Sequence, residues 1–429
     1  MFQGPKTLRV KNWEPLPFNA ADIETVLITH THIDHIGYLP RFGAEGFQGR
    51  VLATAPTVEM ARILLLDSAH LHEEDAQYRN KKKLTSHPKA LPLFRTKDVK
   101  RIVKRFEPVN FGEWFSVAKG IRCRYHVAGH VLGAGSIEIE ASDGNRQCSI
   151  LFSGDVGRYG DPLSPNPAPP PETDYLVCES TYGGRLHEPE DPRFTLAQIV
   201  NRIVKDKRIL LVPAFAFGRT QQIIYLVGEL MRDGAVPPID IHVDSPMAVT
   251  ATDLYRRYPA LHSVSPSRLQ NGEDVLGGEH VTLHRRRKSS KLLNTLKGPA
   301  IILSASGMMA GGRILHHLIN RLPDRKTTLM IAGYMAEGTL GRQIAEGADK
   351  VYIHKQPIEV RAEVIQLHGL SGHADYLELL HWLEPISRTP RMVYVTHGEE
   401  SQSVAMAGHL KDERGWKTHI PTLHETVEL

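Results

Sequence analysis

Four side chains that can bind a metal ion occur within six residues, directly after a short hydrophobic segment. Residues 23–29 (IETVLIT) are rich in β-branched side chains and predict a strand, and residues 30–35 (HTHIDH) follow it. His30 and His32 are two residues apart in an extended stretch, so their side chains can point the same way and bind one ion. Asp34 and His35, beyond the turn, are placed to bind a second. Imidazole and carboxylate ligands suit zinc, with iron or manganese as alternatives.

The composition excludes several classes of protein. Its 52 Lys and Arg against 48 Asp and Glu give a net charge of +4, which permits an anionic partner without requiring one. Three cysteines, none in a CxxC pair, cannot build a disulfide framework and indicate a reducing compartment, so we expect a cytoplasmic protein. The sequence has no apolar run of membrane-spanning length and no signal-peptide pattern at its start, so no membrane partner is expected.

The order of predicted elements indicates a mixed α/β protein. Strands are predicted at residues 121–127, 136–141 and 147–153, and a hairpin turn at Asp143-Gly144 joins the last two. From residue 175 onward, strands alternate with helices, which predicts a mostly parallel sheet. The alternation follows a predicted strand at 175–179, and the strands within it are predicted at 209–214, 239–244, 300–305 and 328–333. Helices are predicted at 56–72, 97–106, 376–383 and 402–414, and the last strands at 391–396 and 418–422.

The HTHIDH segment resembles the HxHxDH signature of the metallo-β-lactamase superfamily. His130, in residues 128–136 (AGHVLGAGS), is similar to the third ligand motif, and Asp155, in residues 152–155 (FSGD), is similar to the carboxylate that bridges the two metals. The resemblance implies an αββα sandwich. It also implies two zinc ions, with Mn²⁺ or Fe²⁺ as alternatives, one bound by His30, His32, His130 and Asp155, and the other by Asp34, His35, Asp155 and His397.

Further segments resemble the β-CASP subfamily, the nucleic-acid-processing branch. Residues 179–183 (ESTYG), 371–375 (SGHAD) and 395–399 (VTHGE) are similar to its motifs A, B and C. Residues 213–221, 244–248, 304–313 and 333–338 are similar to the inserted domain of stand-alone bacterial and archaeal relatives of the cleavage and polyadenylation specificity factor. The resemblance implies a metallo-β-lactamase domain from residues 1–185 and 366–429, with an α/β β-CASP domain inserted at 186–365.

This resemblance implies a ribonuclease that uses metal-activated hydroxide and leaves 5′-phosphate and 3′-hydroxyl ends. His373 is the candidate general acid, oriented by Glu179, and Asp34 acts with them as a catalytic ligand. The candidate contacts to substrate are Ser371, Gly372, Arg219 and Arg313. The expected partner is single-stranded RNA, with DNA as the alternative, and a homodimer is one expected assembly. The basic run 285–288 (RRRK) is either solvated surface or a further phosphate contact.

Two alternatives stay open at this point. A small-molecule metallohydrolase of the lactamase or thioesterase kind is disfavoured by motifs A to C and by the large insertion. A non-catalytic RNA-binding scaffold is disfavoured because every ligand and both acid–base residues are present.

Residues 2–4 resemble the point in the family where the opening strands end, at a turn that carries an aspartate. In the family this aspartate supports the metal ligands without binding the metal itself. Its loss predicts metal binding that is weaker by about 10–100-fold.

Overall fold

The computed structural model describes residues 1–2, 6–84, 87–144, 146–188, 190–264, 268, 273–333 and 335–429. Gln3, Gly4 and Tyr334, which belong to segments interpreted above, lie outside these ranges. The chain divides into two compact units, the first formed by residues 1–186 and 373–429 and the second by residues 187–372. Within the described residues, no helix is both long and apolar enough to cross a membrane.

The strands are β1 Thr25–Leu27, β2 Arg50–Thr54, β3 Phe106–Val109, β4 Phe115–Ala118, β5 Ile121–Val127, β6 Gly135–Ser142, β7 Gln147–Phe152, β8 Tyr175–Glu179, β9 Ile209–Pro213, β10 Ile241–Val243, β11 Val281–Leu283, β12 Ala300–Ser304, β13 Thr327–Ile331, β14 Lys350–Ile353, β15 Gln356–Glu359, β16 Glu363–Gln366, β17 Met392–Thr396 and β18 Thr418–His419. The α-helices are α1 Lys6–Arg9, α2 Ile33–Ile36, α3 Leu39–Ala44, α4 Ala55–Lys81, α5 Thr96–Ile102, α6 Pro192–Lys205, α7 Arg219–Arg232, α8 Pro246–Arg257, α9 Arg287–Leu292, α10 Arg313–Arg321, α11 Leu340–Ala345, α12 Tyr376–Trp382 and α13 Glu400–Arg414.

The first unit contains two sheets. One has the order β1-β2-β3, and the other has the order β18-β17-β8-β7-β6-β5-β4. The Tyr125 hydroxyl of β5 donates to the carbonyl of Leu52 in β2 at 3.0 Å, so the sheets are joined directly. Helix α4 packs Val58 and Leu65 into the core of the smaller sheet. Helices α12 and α13 cover the larger sheet, where Trp382 is buried. This confirms the predicted αββα sandwich.

The second unit is built on a parallel sheet with the order β11-β10-β12-β9-β13-β16. Its central strands β9 and β12 are buried along their whole length, as is typical of a parallel sheet covered on both faces. Ile209 and Leu211 of β9 share a core cluster with Ile314 and Leu318 of α10. Since side chains alternate along a strand, Leu210 and Val212 face the opposite side of the sheet. The alternating strand–helix pattern therefore gave the correct class of sheet.

Two helix predictions had wrong ends. The helix predicted at 56–72 extends to Lys81, because the polar residues beyond His72 carry no apolar periodicity but pair along the helix, as Asp75 does with Arg79 at 2.7 Å. The helix predicted at 97–106 ends at Ile102. A short 3₁₀ turn follows, and Phe106 begins β3, where it is buried in the same core as α4.

Candidate metal centre

The HTHIDH segment lies where β1 gives way to α2. His32 precedes the first turn of α2, and Asp34 and His35 belong to that helix. The carbonyl of Thr29 accepts a hydrogen bond from the Gly135 N–H of the larger sheet at 2.9 Å, which fixes the turn between the two sheets. His30 is therefore completely buried after the end of β1. It lies beside the loop between β5 and β6, which carries His130.

Four donor atoms converge in the first group. His32 Nδ1 lies 3.0 Å from His30 Nε2 and 3.1 Å from His130 Nε2. Asp155 Oδ2 lies 3.3 Å from His30 Nε2 and 3.6 Å from His130 Nε2. A zinc ion about 2.0–2.1 Å from each of four tetrahedral ligands would separate those ligands by about 3.3 Å. The donor set and its spacing therefore fit a tetrahedral metal ion.

A second group lies beside it in the same unit. His35 Nε2 is 3.0 Å from His397 Nε2, and Asp34 Oδ2 is 3.4 Å from the same His397 nitrogen. These three residues also form a cluster whose donor atoms lie within 4.8 Å of one another. Asp34 and His35 are provided by α2, whereas His397 comes from the end of β17, more than three hundred residues later.

Asp155 connects the two groups. Its Oδ2 faces the first group, and its Oδ1 lies 3.4 Å from His35 Nε2 and 3.3 Å from His397 Nδ1. Asp155 is 2% exposed, yet Oδ1 has no well-formed hydrogen bond. A buried carboxylate is stable only next to positive charge or hydrogen-bond donors, and the groups that face Asp155 are the histidines of the two donor groups. Asp155 therefore has the position of a ligand that both groups share.

The pKa shifts of the three histidines in the first donor group agree with metal binding. Burial lowers the pKa of His30 and His130 and lowers that of His32 to about 3, so these imidazoles are neutral and can donate lone pairs. Burial raises the pKa of Asp155, but His30 and His397 outweigh it and hold the pKa well below its usual range. Burial likewise lowers the pKa of His397, but Asp155 and Asp34 raise it to about 10. The raised pKa of His397 means that the two carboxylates stabilise a positive charge at this position.

The position of His397 depends on its neighbours. His397 has a backbone φ of 55°, in the left-handed region that a branched or bulky residue rarely adopts. A Cβ at the next residue, Gly398, would lie 2.4 Å from Ser180 Oγ, so the chain passes too close to Ser180 for any side chain there. The hydroxyl of Thr181 lies 3.3 Å from His397 Nδ1. Thr181 was not singled out from the sequence, although it lies in the motif A segment beside Glu179.

The two predicted acid–base residues lie next to the two donor groups, which together form a donor cluster. Glu179, at the end of β8, is 1% exposed and accepts the Val156 N–H at 2.7 Å. His373 Nδ1 lies 3.3 Å from Glu179 Oε2, and His373 Nε2 lies 4.0 Å from Asp155 Oδ2. Burial lowers the pKa of His373, but the Glu179 carboxylate outweighs it and leaves the pKa raised. His373 Nδ1 therefore faces the Glu179 carboxylate, and His373 Nε2 faces the donor cluster.

The four predicted substrate contacts lie in the second unit. Ser371 and Gly372 are its last two residues, directly before His373. Arg219 begins α7 and donates from Nη1 to the carbonyl of Ala332 at 2.6 Å. Arg313 begins α10 and is engaged by three acceptors, Asp244 Oδ1 at 2.7 Å and the carbonyls of His284 and Arg285 at 2.9 and 2.7 Å. Of the basic run, Arg285 pairs with Asp253 at 2.5 Å.

An αββα sandwich that holds this His and Asp cluster at its strand ends defines a metal-dependent hydrolase of the metallo-β-lactamase superfamily. Family comparison matches residues 6–150 to a metallo-beta-lactamase superfamily domain, residues 220–344 to a Beta-Casp domain, and residues 357–421 to a Zn-dependent metallo-hydrolase RNA specificity domain. The chain belongs to the β-CASP family of that superfamily.

Similar proteins cover nearly the whole chain. Ribonuclease TTHA0252 of Thermus thermophilus is 33% identical over 430 residues, which span 100% of this chain and 92% of the relative. An RNase J-like protein of Methanocaldococcus jannaschii is 28% identical over 93% of this chain and 86% of the relative. Transcription termination factor FttA of Pyrococcus horikoshii is 29% identical over 95% of this chain, and the match spans 62% of that factor's length.

Proposed function

We propose that this protein is a ribonuclease that hydrolyses phosphodiester bonds of single-stranded RNA with two zinc ions held by the seven ligands named above. The observation that carries the proposal is the pair of donor groups that share Asp155, with His373 facing that carboxylate at 4.0 Å. The RNA specificity domain matched at residues 357–421 and the ribonuclease relatives support RNA as the substrate.

Metal ions bound at these donors would supply a nucleophilic hydroxide at neutral pH and would neutralise charge on the phosphoryl oxygens. The chain's own part is to hold seven donors in place. Neutral His30 and His130 present lone pairs from buried positions, where water cannot compete for them, and neutral His32 does so from a half-buried one. Asp155, buried between the groups, supplies one carboxylate oxygen to each. Asp34 and His397 complete the second group at the more exposed side of the cluster.

His373 is positioned to protonate the departing sugar oxygen. The Glu179 carboxylate beside Nδ1 favours the protonated imidazole, which can then give up the proton from Nε2 toward the cluster. Glu179 is itself fixed by the Val156 N–H, so the acid is held in one orientation. Protonation of a 3′-oxygen leaves a 3′-hydroxyl on one product and a 5′-phosphate on the other. Ser371, Gly372, Arg219 and Arg313 are the proposed contacts to the RNA.

The decisive experiment incubates the purified protein with end-labelled RNA, with added zinc and with EDTA. We expect cleavage that EDTA abolishes and zinc restores, products whose 5′ ends are sensitive to phosphatase, and about two zinc ions per chain by elemental analysis. A parallel incubation with single-stranded DNA of the same sequence tests the choice of nucleic acid.

The same preparation tests the two alternatives. Hydrolysis of nitrocefin or a thioester without RNA cleavage would establish a small-molecule metallohydrolase. Tight RNA binding without cleavage, in protein that holds its full metal content, would establish a binding scaffold. The double variant with Asp34→Ala and His35→Ala serves as the inactive control, since it removes two of the four ligands of the second group.

A further inference from the structure

The carboxyl ends of two neighbouring strands in the second unit form a crevice. After β9 the chain passes through α7 to β10, which lies on the far side of β12. After β12 it passes through α10 to β13, which lies on the far side of β9. The two adjacent strands therefore lead in opposite directions, and a parallel sheet opens at its carboxyl edge at such a switch point. The crevice there is lined by Phe215, Arg219, Gly307, Ala332 and Met335.

Phe215 is the aromatic member of this lining. It follows the end of β9 by two residues and is 43% exposed, so part of its ring is open to a ligand. Its carbonyl accepts hydrogen bonds from the Thr220 hydroxyl at 2.7 Å and from the Thr220 N–H at 3.3 Å. The start of α7 therefore fixes the backbone from which the ring projects.

The ring of Phe215 is also supported from one side. A Cβ on Gly307 would lie 2.9 Å from Phe215 Cδ2 and 3.1 Å from Cε2, so the ring lies directly against a backbone that carries no side chain. A ring held in this way loses little conformational entropy when a second flat group stacks on it. Arg219 lines the same crevice, and its guanidinium group is fixed by a hydrogen bond to the carbonyl of Ala332 at 2.6 Å.

An exposed aromatic ring with a guanidinium group nearby is the combination with which proteins hold single-stranded nucleic acid, the ring for a base and the cation for the backbone. The crevice itself is only about 10 Å³ in volume, so a base would lie on its rim. We propose that the exposed face of Phe215 at this rim is a nucleobase site, in which Phe215 stacks on one base of the RNA and Arg219 contacts an adjoining phosphate. The inference rests on the proposed function, because it names how the RNA substrate is held. Phe215 would then contribute to RNA binding independently of the donor cluster in the first unit.

The test measures equilibrium binding of a short fluorescent single-stranded RNA to the zinc-loaded protein and its variants. Phe215→Ala should weaken binding by roughly 5- to 150-fold, the range that loss of one base–aromatic stack produces. Phe215→Tyr should restore most of the affinity, and Phe215→Leu should not, since it keeps apolar volume without a ring. The matched control is Phe194→Ala, which removes a more exposed phenylalanine from α6 of the same unit.

A second probe separates stacking from charge. An abasic oligonucleotide of the same length and charge should bind Phe215→Ala and the wild-type protein equally. Arg219→Ala should reduce the slope of log affinity against log salt by about 0.7, whereas Phe215→Ala should leave that slope unchanged.

The outcomes separate this inference from the proposed function. If the wild-type protein binds and cleaves RNA but Phe215→Ala and Phe194→Ala bind equally well, the nucleobase site is wrong and the ribonuclease stands. The same holds if Phe215→Ala loses affinity for ordinary and abasic oligonucleotides alike, because the residue would then act only through the fold. If the wild-type protein binds no RNA, both are overturned.

Discussion

Two sets of residues were selected from the sequence as functional: the donor cluster of the first unit, and Arg219 and Arg313 of the second. Their surroundings in the structure differ. In the cluster, donor atoms from four separate segments approach to 3.0–3.6 Å, and the buried Asp155 Oδ1 has no well-formed hydrogen bond. In the second unit, Arg313 already donates to a carboxylate and two carbonyls of its own fold. Convergence of donor atoms at a buried position is thus a better indicator of a ligand site than a positive charge at the start of a helix.

The largest effect is expected at the residue that joins the two donor groups. Asp155→Asn removes the negative charge that both groups share, so zinc content should fall from about two per chain toward zero and RNA cleavage should be lost. Elemental analysis and the end-labelled RNA assay measure this. Asp412→Asn, an exposed aspartate on α13 of the same unit, is the matched control and should change neither. An Asp155→Asn protein that keeps both zinc ions would remove the basis for the bridging role.

The next effect is smaller and leaves the metals in place. His373 faces the cluster without belonging to either donor group, so His373→Ala should retain zinc and RNA binding while slowing cleavage about 10²–10⁴-fold, the usual contribution of a general acid. Single-turnover rates at saturating protein measure the chemical step. Loss of zinc from this variant would show that His373 acts as a ligand instead.

The local chemistry could be predicted from the sequence because its signals are local. The spacing of residues 30–35 and the strand before them place four donors at one strand end, and the resemblance supplied Asp155, Glu179, His373 and His397. The contacts that hold these residues in position could not be predicted from the sequence. The left-handed backbone of His397 and its Thr181 neighbour depend on packing between β8 and β17, which lie more than two hundred residues apart.

In the second unit the sequence was less informative. The alternation of strands and helices predicted the central parallel strands, but β11, β14, β15 and β16 are only three or four residues long and were missed. The arginines were chosen for charge alone. Their partners are decided by tertiary structure, since Asp244 meets Arg313 only after β10 and α10 have packed against the same sheet.

The next prediction concerns how strongly the affinity for RNA depends on salt concentration. If about three to five basic side chains contact phosphates, affinity should fall roughly 20- to 130-fold between 50 and 200 mM salt. Charge reversal across the basic run 285–288 should flatten this dependence without changing zinc content. A dependence on salt near zero, in protein that still cleaves RNA, would mean that stacking and the metals hold the substrate and that these basic residues are solvated surface.

The smallest effect concerns Asp244, which is completely buried and is bound by Arg313, by His317 Nε2 at 2.7 Å and by the Ser290 hydroxyl at 2.6 Å. Arg313→Ala should lower the free energy of unfolding by about 1.5–3 kcal/mol, the range for a hydrogen bond to a charged group. Denaturant unfolding measures this loss at neutral pH. If affinity for RNA falls while stability is unchanged, the arginine serves the substrate rather than the fold.

The pH dependence of the same site provides the last test. Burial raises the pKa of Asp244, but the hydrogen bonds from His317, Ser290 and Arg313 outweigh it and leave the pKa below the ordinary value of 3.8. A carboxyl whose pKa is lower in the folded state stabilises the protein above its unfolded pKa, and that contribution is lost as pH falls through the folded value. The stability difference between wild type and Asp244→Asn should therefore be largest near neutral pH and shrink below about pH 4. A difference that stays constant with pH would mean that packing, not the carboxylate charge, connects β10 to α10.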